Sequence, residues 1–357
     1  MKDASLENEQ LPVVDEESSD STTTKQKESA TKGNSFSSRF TELRARFFQL
    51  LHLFSPEHPF IADKRARIFL ISFTMLFFEL LCIRWIPSYV RYLSYFTNFI
   101  LLASFLGIGL GMLAARRKRF WFPPFPLLVL LLVYVVASNK FELHIRSIQV
   151  LYYGASEVRS GAENYMALPI IFGMVVLCFI PLSRSFGQLF THVKPLTAYT
   201  YDIIGSLAGI ASFAAMSYFS LPPLVWFSVL GLAVLLLSAK RVVLLAAVVM
   251  GVCLLEVGQL QAGAYWSPYY KILLEPAVPN GYIVDVNNAG GHQTMTDWHY
   301  KEPFYQLVYK TFGKTFHHAL ILGAGTGSDV AIAEAYGVDS ITAVEIDPTI
   351  QKLGVQF

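Results

Sequence analysis

Ala319-Leu-Ile-Leu-Gly-Ala-Gly-Thr-Gly-Ser328 decides how the chain's C-terminal part is read. Four apolar residues, 319–322, suit a short buried parallel strand. The glycines follow at once, at 323, 325 and 327. Ser328 to Tyr336 then has helical periodicity, with Gly337 as a stop. Ser340-Ile-Thr-Ala-Val344 reads as a second strand, ending in Glu345-Ile-Asp347. Pro348 suits the first turn of another helix, with Asp347 as its N-cap. Strand, glycine loop, helix, strand and terminal acid make one nucleotide-binding βαβ half. Glycines let backbone pass close to a ligand at a helix N-terminus. An acid ending the second strand can accept both hydroxyls of a ribose, and Glu345 lies about twenty residues beyond the loop, as dinucleotide folds require.

The loop is G-x-G-x-G, because position 328 is Ser. A dinucleotide needs room and a helix dipole for its pyrophosphate. An adenosyl-sulfonium ligand carries no phosphate and tolerates the tighter form. The reading is therefore S-adenosylmethionine or a relative rather than NAD. The expected donor-side residues are Gly323, Gly325, Gly327, Asp329, Glu345 and Asp347, with Asp329 weighed mainly as a first-turn acid favoured by the helix dipole.

Upstream, the composition changes character. Of 357 residues 54% are hydrophobic and only 15% charged, and the mean hydropathy is +0.44. A soluble chain carries roughly a quarter charged residues, so the expected setting is a lipid bilayer. Net charge is +2, and no basic patch with interleaved aromatics suggests nucleic acid. Cys82, Cys178 and Cys253 sit in apolar runs and read as small buried hydrophobes.

Residues 1–38 form a polar tail read as disordered. The juxtamembrane segment 39–64 holds an amphipathic stretch at 40–54, suited to a membrane surface or to packing on the protein. Domain 65–258 is expected to hold about seven spans, at 68–87, 97–115, 122–138, 167–183, 198–219, 222–239 and 241–257. Basic residues gather on the cytoplasmic side of short loops. Lys64, Arg65 and Arg67 thus put the N-terminus inside, and Arg116–Arg119, Arg184/Lys194 and Lys240/Arg241 alternate with it. Seven spans would leave the C-terminal part outside, at odds with an adenosyl-using enzyme.

Ala103, Gly107, Gly111 and Ala115, and separately Gly205 and Gly209, recur every four residues, the spacing of close helix packing in lipid. Glu79, Arg84 and Asp202 fall in or near spans. Arg84 reads as snorkelling at a helix end; the two acids read as functional or as interhelical hydrogen bonds. Residues 263–312 read as a β-rich unit with a hairpin at Asn287-Asn-Ala-Gly-Gly291. Residues 313–357 are the first half of a Rossmann-like, methyltransferase-type domain. His292, Asp297 and His299 lack metal-ligand spacing, so no metal is expected. No Ser-His-Asp, Cys-His or phosphate-loop pattern occurs.

From Trp266 to Gly354 the chain resembles the spermidine synthase-like proteins, in the bacterial branch with a multi-span membrane domain in front. The matching pieces are Trp266-Ser-Pro-Tyr269, Gly290-Gly-His-Gln293, Gly323 to Val330 and Val344-Glu-Ile-Asp-Pro348. Arg84-Trp85, Thr97-Asn98, Gly107 to Gly111 and Tyr199 to Gly205 resemble that branch's membrane half. The likeness covers about 290 residues. It implies aminopropyl transfer from decarboxylated S-adenosylmethionine to a small-molecule amine, with Glu345 on the donor ribose and Gln293 and Tyr269 on the substrate side.

Two positions depart from the pattern: Tyr270 stands where the soluble synthases usually carry Gln, and Thr326 where they carry Asp. An Asp there would pair the ammonium of a decarboxylated donor and repel the carboxylate of S-adenosylmethionine. Thr326 removes that discrimination, so methyl transfer from S-adenosylmethionine stays open. So does a non-enzymatic transporter or scaffold with a vestigial nucleotide-binding half. The family's acidic base lies downstream of Phe357, so the chain is expected to be a C-terminally truncated representative, and the catalytic residues are unknown.

Overall fold

The computed structural model describes residues 61–90, 93, 96–116, 124–138, 166–277, 281–288, 293–301, 303–313 and 316–357. The polar tail 1–38, the amphipathic stretch 40–54, the basic residues 117–119, the connector 139–165 and His292 lie outside the described residues.

Helices form at each of the seven apolar runs. They are α1 (Lys64–Trp85), α2 (Thr97–Ala115), α3 (Phe125–Ala137), α4 (Ala167–Phe190), α5 (Pro195–Tyr218), α6 (Pro223–Leu237) and α7 (Val243–Leu260). Among the described residues four are long and apolar enough to cross a membrane: Lys64–Trp85, Asn98–Ala115, Leu168–Phe190 and Val243–Leu260. Of the seven expected spans, those at α1, α2, α4 and α7 meet that length and hydropathy, and α3, α5 and α6 do not. Helix α3 has 13 residues and α6 has 15, short of the ~20 a bilayer needs. Pro124 stands at the N-cap of α3, and Pro222 and Pro223 open α6.

Helix α4 runs further than expected, through Pro181 to Phe190. Pro181 has no N–H for the Leu177 carbonyl, so one helical hydrogen bond is lost, and two nearby serines add side-chain bonds to other carbonyls of the same stretch. Ser183 Oγ donates to the Phe179 carbonyl at 2.8 Å and Ser185 Oγ to the Pro181 carbonyl at 2.9 Å. The stretch 184–190, expected to be a connector, is thus helical.

Both small-residue stripes are seams. A Cβ at position 107 would fall 2.6 Å from the Val176 carbonyl oxygen. One at 111 would fall 1.9 Å from Ser183 Oγ and 2.5 Å from the Ile180 carbonyl oxygen. These glycines let α2 and α4 touch backbone to backbone. Gly205 and Gly209 do the same for α5 against α1, at the Phe69 and Phe73 carbonyls. Phe77, Phe78, Trp85, Phe179, Trp226 and Phe227 fill the buried centre.

A four-stranded antiparallel sheet follows the bundle: β1 (Tyr265–Trp266), β2 (Lys271–Ala277), β3 (Gly281–Val286) and β4 (Gln293–Thr296), in that order. Val284 faces Gln293 across the expected hairpin, and Asn287 and Asn288 hold φ of 54° and 53° at its start. After the short α8 (Leu307–Phe312) come β5 (His318–Leu322), α9 (Ser328–Ala335), β6 (Ser340–Val344) and α10 (Pro348–Gln356). Strands β5 and β6 pair in parallel, with Leu322 opposite Val344. Helix α10 packs Ile350 and Leu353 on Ile272, Val284 and Val286. The expectation that β5 is buried is corrected: Leu320 is 66% and Leu322 73% exposed. Residues 318, 320 and 322 share one open face, and only the alternate positions are half-covered.

The antiparallel sheet sits at the Trp85 end of α1. Tyr89 Oη donates to the Leu260 carbonyl at 3.2 Å, and the Trp226 and Trp266 rings meet edge to face at 5.1 Å. Lys64 and Arg65 begin α1 at its other end, about 33 Å away at 1.5 Å per residue. The three cysteines are free and buried.

Gly111→Ala should lower the thermal unfolding midpoint of the detergent-solubilised chain, at a cost on the order of 2 kcal/mol for overpacking. Gly109→Ala, whose Cβ would meet open space, should leave the midpoint unchanged.

Candidate functional site

The glycine loop turns because three residues adopt conformations that side chains resist. Gly323, Gly325 and Gly327 hold φ of +72°, +58° and +93°. Gly323 N donates to the Val344 carbonyl at 2.8 Å, which ties the loop to the end of β6. The loop therefore starts where both strands end.

Glu345 stands at that point. Its Oε2 accepts from Gly325 N at 2.8 Å and its Oε1 from Asp347 N at 2.9 Å. An ionised carboxylate has about four lone-pair positions. Two are used to orient the group, and two stay available on a half-buried side chain.

Asp347 does what its place before Pro348 predicts: its Oδ1 accepts from Thr349 N at 2.8 Å and from Ile350 N at 3.3 Å, capping α10. It is fully buried, and its Oδ2 accepts no hydrogen bond among the described residues. Its place in the site is thus structural and electrostatic, behind Glu345.

Gln293 reaches the loop from β4. Its Nε2 donates to Thr326 Oγ1 at 2.9 Å, and a Cβ on Gly325 would fall 2.2 Å from its Oε1. The loop's far side is backed by α10, where a Cβ at Gly354 would fall 2.3 Å from the Thr326 carbonyl oxygen. Thr326 is therefore gripped from both sides, which its sequence position alone did not reveal.

Asp329 sits on the second residue of α9, half-buried. Burial pushes its carboxyl above the ordinary aspartate value, while the Lys301 ammonium pulls it back. Lys301 is buried, donates to the Thr294 carbonyl and, at 3.0 Å, to Thr294 Oγ1, and lies 5.3 Å from the Tyr305 ring centre. Tyr309, stacked on Tyr336 at 5.0 Å, has its hydroxyl pushed up by burial and by the Asp329 charge. Residues 298–301 and 303–309 thus form a wall facing the first turn of α9, with the Lys301 cation on the wall and the Asp329 acid on the helix. Lys301 carried no recognisable signal in the sequence.

Tyr269 stays apart from the loop's hydrogen bonds. It is exposed, on a turn closed by Ser267 Oγ, with its ring tilted against Tyr270 at 6.1 Å. The structure brings Gly323, Gly325, Gly327, Glu345, Asp347 and Gln293 together and leaves Tyr269 outside the group. His317 pairs with Asp339 at 2.7 Å on the surface. Among the described residues no group of three or more His, Cys, Asp or Glu side chains is placed to hold a metal ion.

Comparison with protein-family models, with curated proteins and with solved structures finds no match to this chain.

The Asp329 shift has a definite sign. A raised folded-state value means the folded chain holds the proton more tightly. That contribution is complete below the ordinary aspartate pKa of about 3.9. It is lost as pH rises through the raised value. Asp329→Asn should therefore raise the unfolding midpoint at neutral pH and leave it unchanged below that ordinary pKa, as calorimetry across pH would read.

Proposed function

We propose that the chain is the donor-binding part of a membrane-anchored transferase of the spermidine synthase-like kind, using an adenosyl-sulfonium donor and a small amine acceptor. The observation that carries the reading is Glu345. Its carboxylate ends β6, is steered by Gly325 N and Asp347 N, and keeps two lone-pair positions beside a loop of three left-handed glycines. Those residues fit a ribose and the adjoining sulfonium end. On this reading β5, α9, β6 and α10 are the opening half of a Rossmann-like domain.

In the reaction, bound donor presents an electrophilic carbon beside its sulfur. The acceptor's nitrogen lone pair forms the new carbon–nitrogen bond as the carbon–sulfur bond breaks and the pair leaves on sulfur. The proton lost from nitrogen goes to a base. None of the described residues is assigned that base. Glu345 orients the ribose; Gln293 and Thr326 border the donor's amino-acid end. Lys301 beside Asp329 presents both charge signs there. That supports S-adenosylmethionine as donor alongside its decarboxylated relative.

Equilibrium binding of S-adenosylmethionine and of its decarboxylated form to the full chain in lipid nanodiscs tests this. Glu345→Ala should weaken binding about 100-fold, the loss of two hydrogen bonds to a charged group. Equal affinity in the variant and the unaltered chain refutes the assignment.

One observation favours a second reading, in which the bundle is the working part and the glycine-loop half is vestigial. We infer from Lys64, Arg65 and Arg67 an N-terminus on the cytoplasmic side of the inner membrane. The strands sit at the far end of α1 from those residues. With α1 crossing, the C-terminal half then lies on the opposite face from the basic cluster. Reporter fusions after Lys64 and after Phe357 should report opposite sides. Reporters on the same, cytoplasmic side would remove the support for this second reading.

A further inference from the structure

We propose that Arg84 is a positioning residue for the glycine-loop site, fastening the Ser267–Tyr270 turn, and through it the acids that end β6, to helix α1. The proposal rests on the reading that this loop takes an adenosyl ligand.

Arg84 is the last residue but one of α1. A long cation at that place ordinarily extends toward water. Here it turns onto the protein instead. Nη1 donates to the Pro268 carbonyl and Nη2 to the Ser267 carbonyl, while the guanidinium carbon lies 5.3 Å from the Trp226 ring centre. A planar fork fits two successive carbonyls, which a single ammonium cannot do. Ser267 Oγ accepts from Tyr269 N at 3.0 Å and Tyr270 N at 2.8 Å. The turn is thus closed from within by Ser267 and held from the bundle by Arg84.

The other arm runs through packing. Tyr270, at the end of the turn that Arg84 holds, packs on the cluster of Ile272, Val284, Val286, Ile350 and Leu353. Ile350 N in turn donates to Asp347 Oδ1 at 3.3 Å, in the cap of α10. Among the described residues Arg84 Nε and Asp347 Oδ2 are both buried without a hydrogen-bond partner. From Asp347 the chain of bonds runs onward: its N–H donates to Glu345 Oε1, and Glu345 Oε2 accepts from Gly325 N. Arg84 therefore reaches the glycine loop through the turn, the capped start of α10 and Glu345, without touching a ligand. The bundle acts as part of the site's frame.

The test is a double-mutant cycle on the full chain in nanodiscs, with S-adenosylmethionine as probe and Glu345→Ala as the control for the loop reading. Arg84→Met should weaken binding by about tenfold or more, the usual scale for groups that orient a ligand's own contacts. Asp347→Asn should also weaken it, and the double variant should be no weaker than Arg84→Met alone, since the two act through one link. Arg84→Lys should restore part of the loss, because an ammonium can reach one of the two carbonyls without the fork.

Amide hydrogen exchange on the ligand-free chain supplies a readout that needs no binding. Protection at Tyr269, Tyr270, Thr349 and Ile350 should fall in Arg84→Met. Additive losses overturn the proposal, as does unaltered affinity in Arg84→Met while Glu345→Ala weakens binding about 100-fold. Should the unaltered chain bind no adenosyl ligand, the functional reading fails, and unchanged exchange at those four amides overturns the positioning role separately. Where Arg84→Met does not accumulate, Arg84→Lys and Asp347→Asn carry the same comparisons.

Discussion

A helix that crosses a bilayer carries its polar side chains into a medium with no hydrogen bonds to offer. The bundle is arranged around that constraint. Glu79, 4% exposed on α1, accepts from Ser104 Oγ of α2 at 2.5 Å. Asp202 of α5 accepts from Ser72 Oγ of α1 at 2.7 Å. Thr74 donates to its own helix, at the Leu70 carbonyl. Each acid thus meets a hydroxyl on a neighbouring helix, and those bonds fix which helices lie side by side. The glycine seams then bring backbones into contact, α5 on α1, the pair that Asp202 and Ser72 join, and α4 on α2.

The junction with the strands follows different physics. There the aromatic residues Trp85, Tyr89, Trp226 and Trp266 meet two cations, Arg84 over Trp226 and Lys271 over Tyr89 at 3.8 Å. Lys271 is buried and also donates to Asn288 Oδ1 at 3.0 Å. Charged groups at a partly buried boundary are tolerated where ring faces and carbonyls replace water. Their geometry is more exacting than simple apolar contact, so this end of the bundle presents the turn at Ser267 in one orientation.

Much of this was legible in residue order. The glycine loop, the cap at Asp347 and the hairpin at Asn287 are local features, each set by a few neighbouring residues. The seam at Gly107 and Gly111 was legible because period four on a helix is also local. What escaped depends on distant partners. Arg84 meets carbonyls more than 180 positions away, and nothing near it distinguishes that from a side chain reaching for water. Nothing near Lys301 in the chain announces that Thr294 and Tyr305 surround its ammonium. The open face of β5 is not legible, because an apolar run announces a need for burial without saying what supplies it. Helix α3 is shorter than its apolar run for a related reason: hydropathy carries the run past Pro124, whereas backbone geometry starts the helix after it.

The placing of these two acids has a consequence for the order of synthesis. Chains emerge N-terminus first, at about 5–20 residues per second. Glu79 is made early, and its serine follows 25 residues later, within about five seconds at the slower rate. Ser72 must wait 130 residues for its aspartate, about 6 to 26 seconds. A lone serine in lipid can meanwhile bond to its own helix, as Thr74 does; a lone carboxylate has no such refuge. The acid that arrives first has the near partner, and the pair with the long delay keeps its acid for last. The nascent chain is therefore spared a long interval with an unpartnered carboxylate in the membrane.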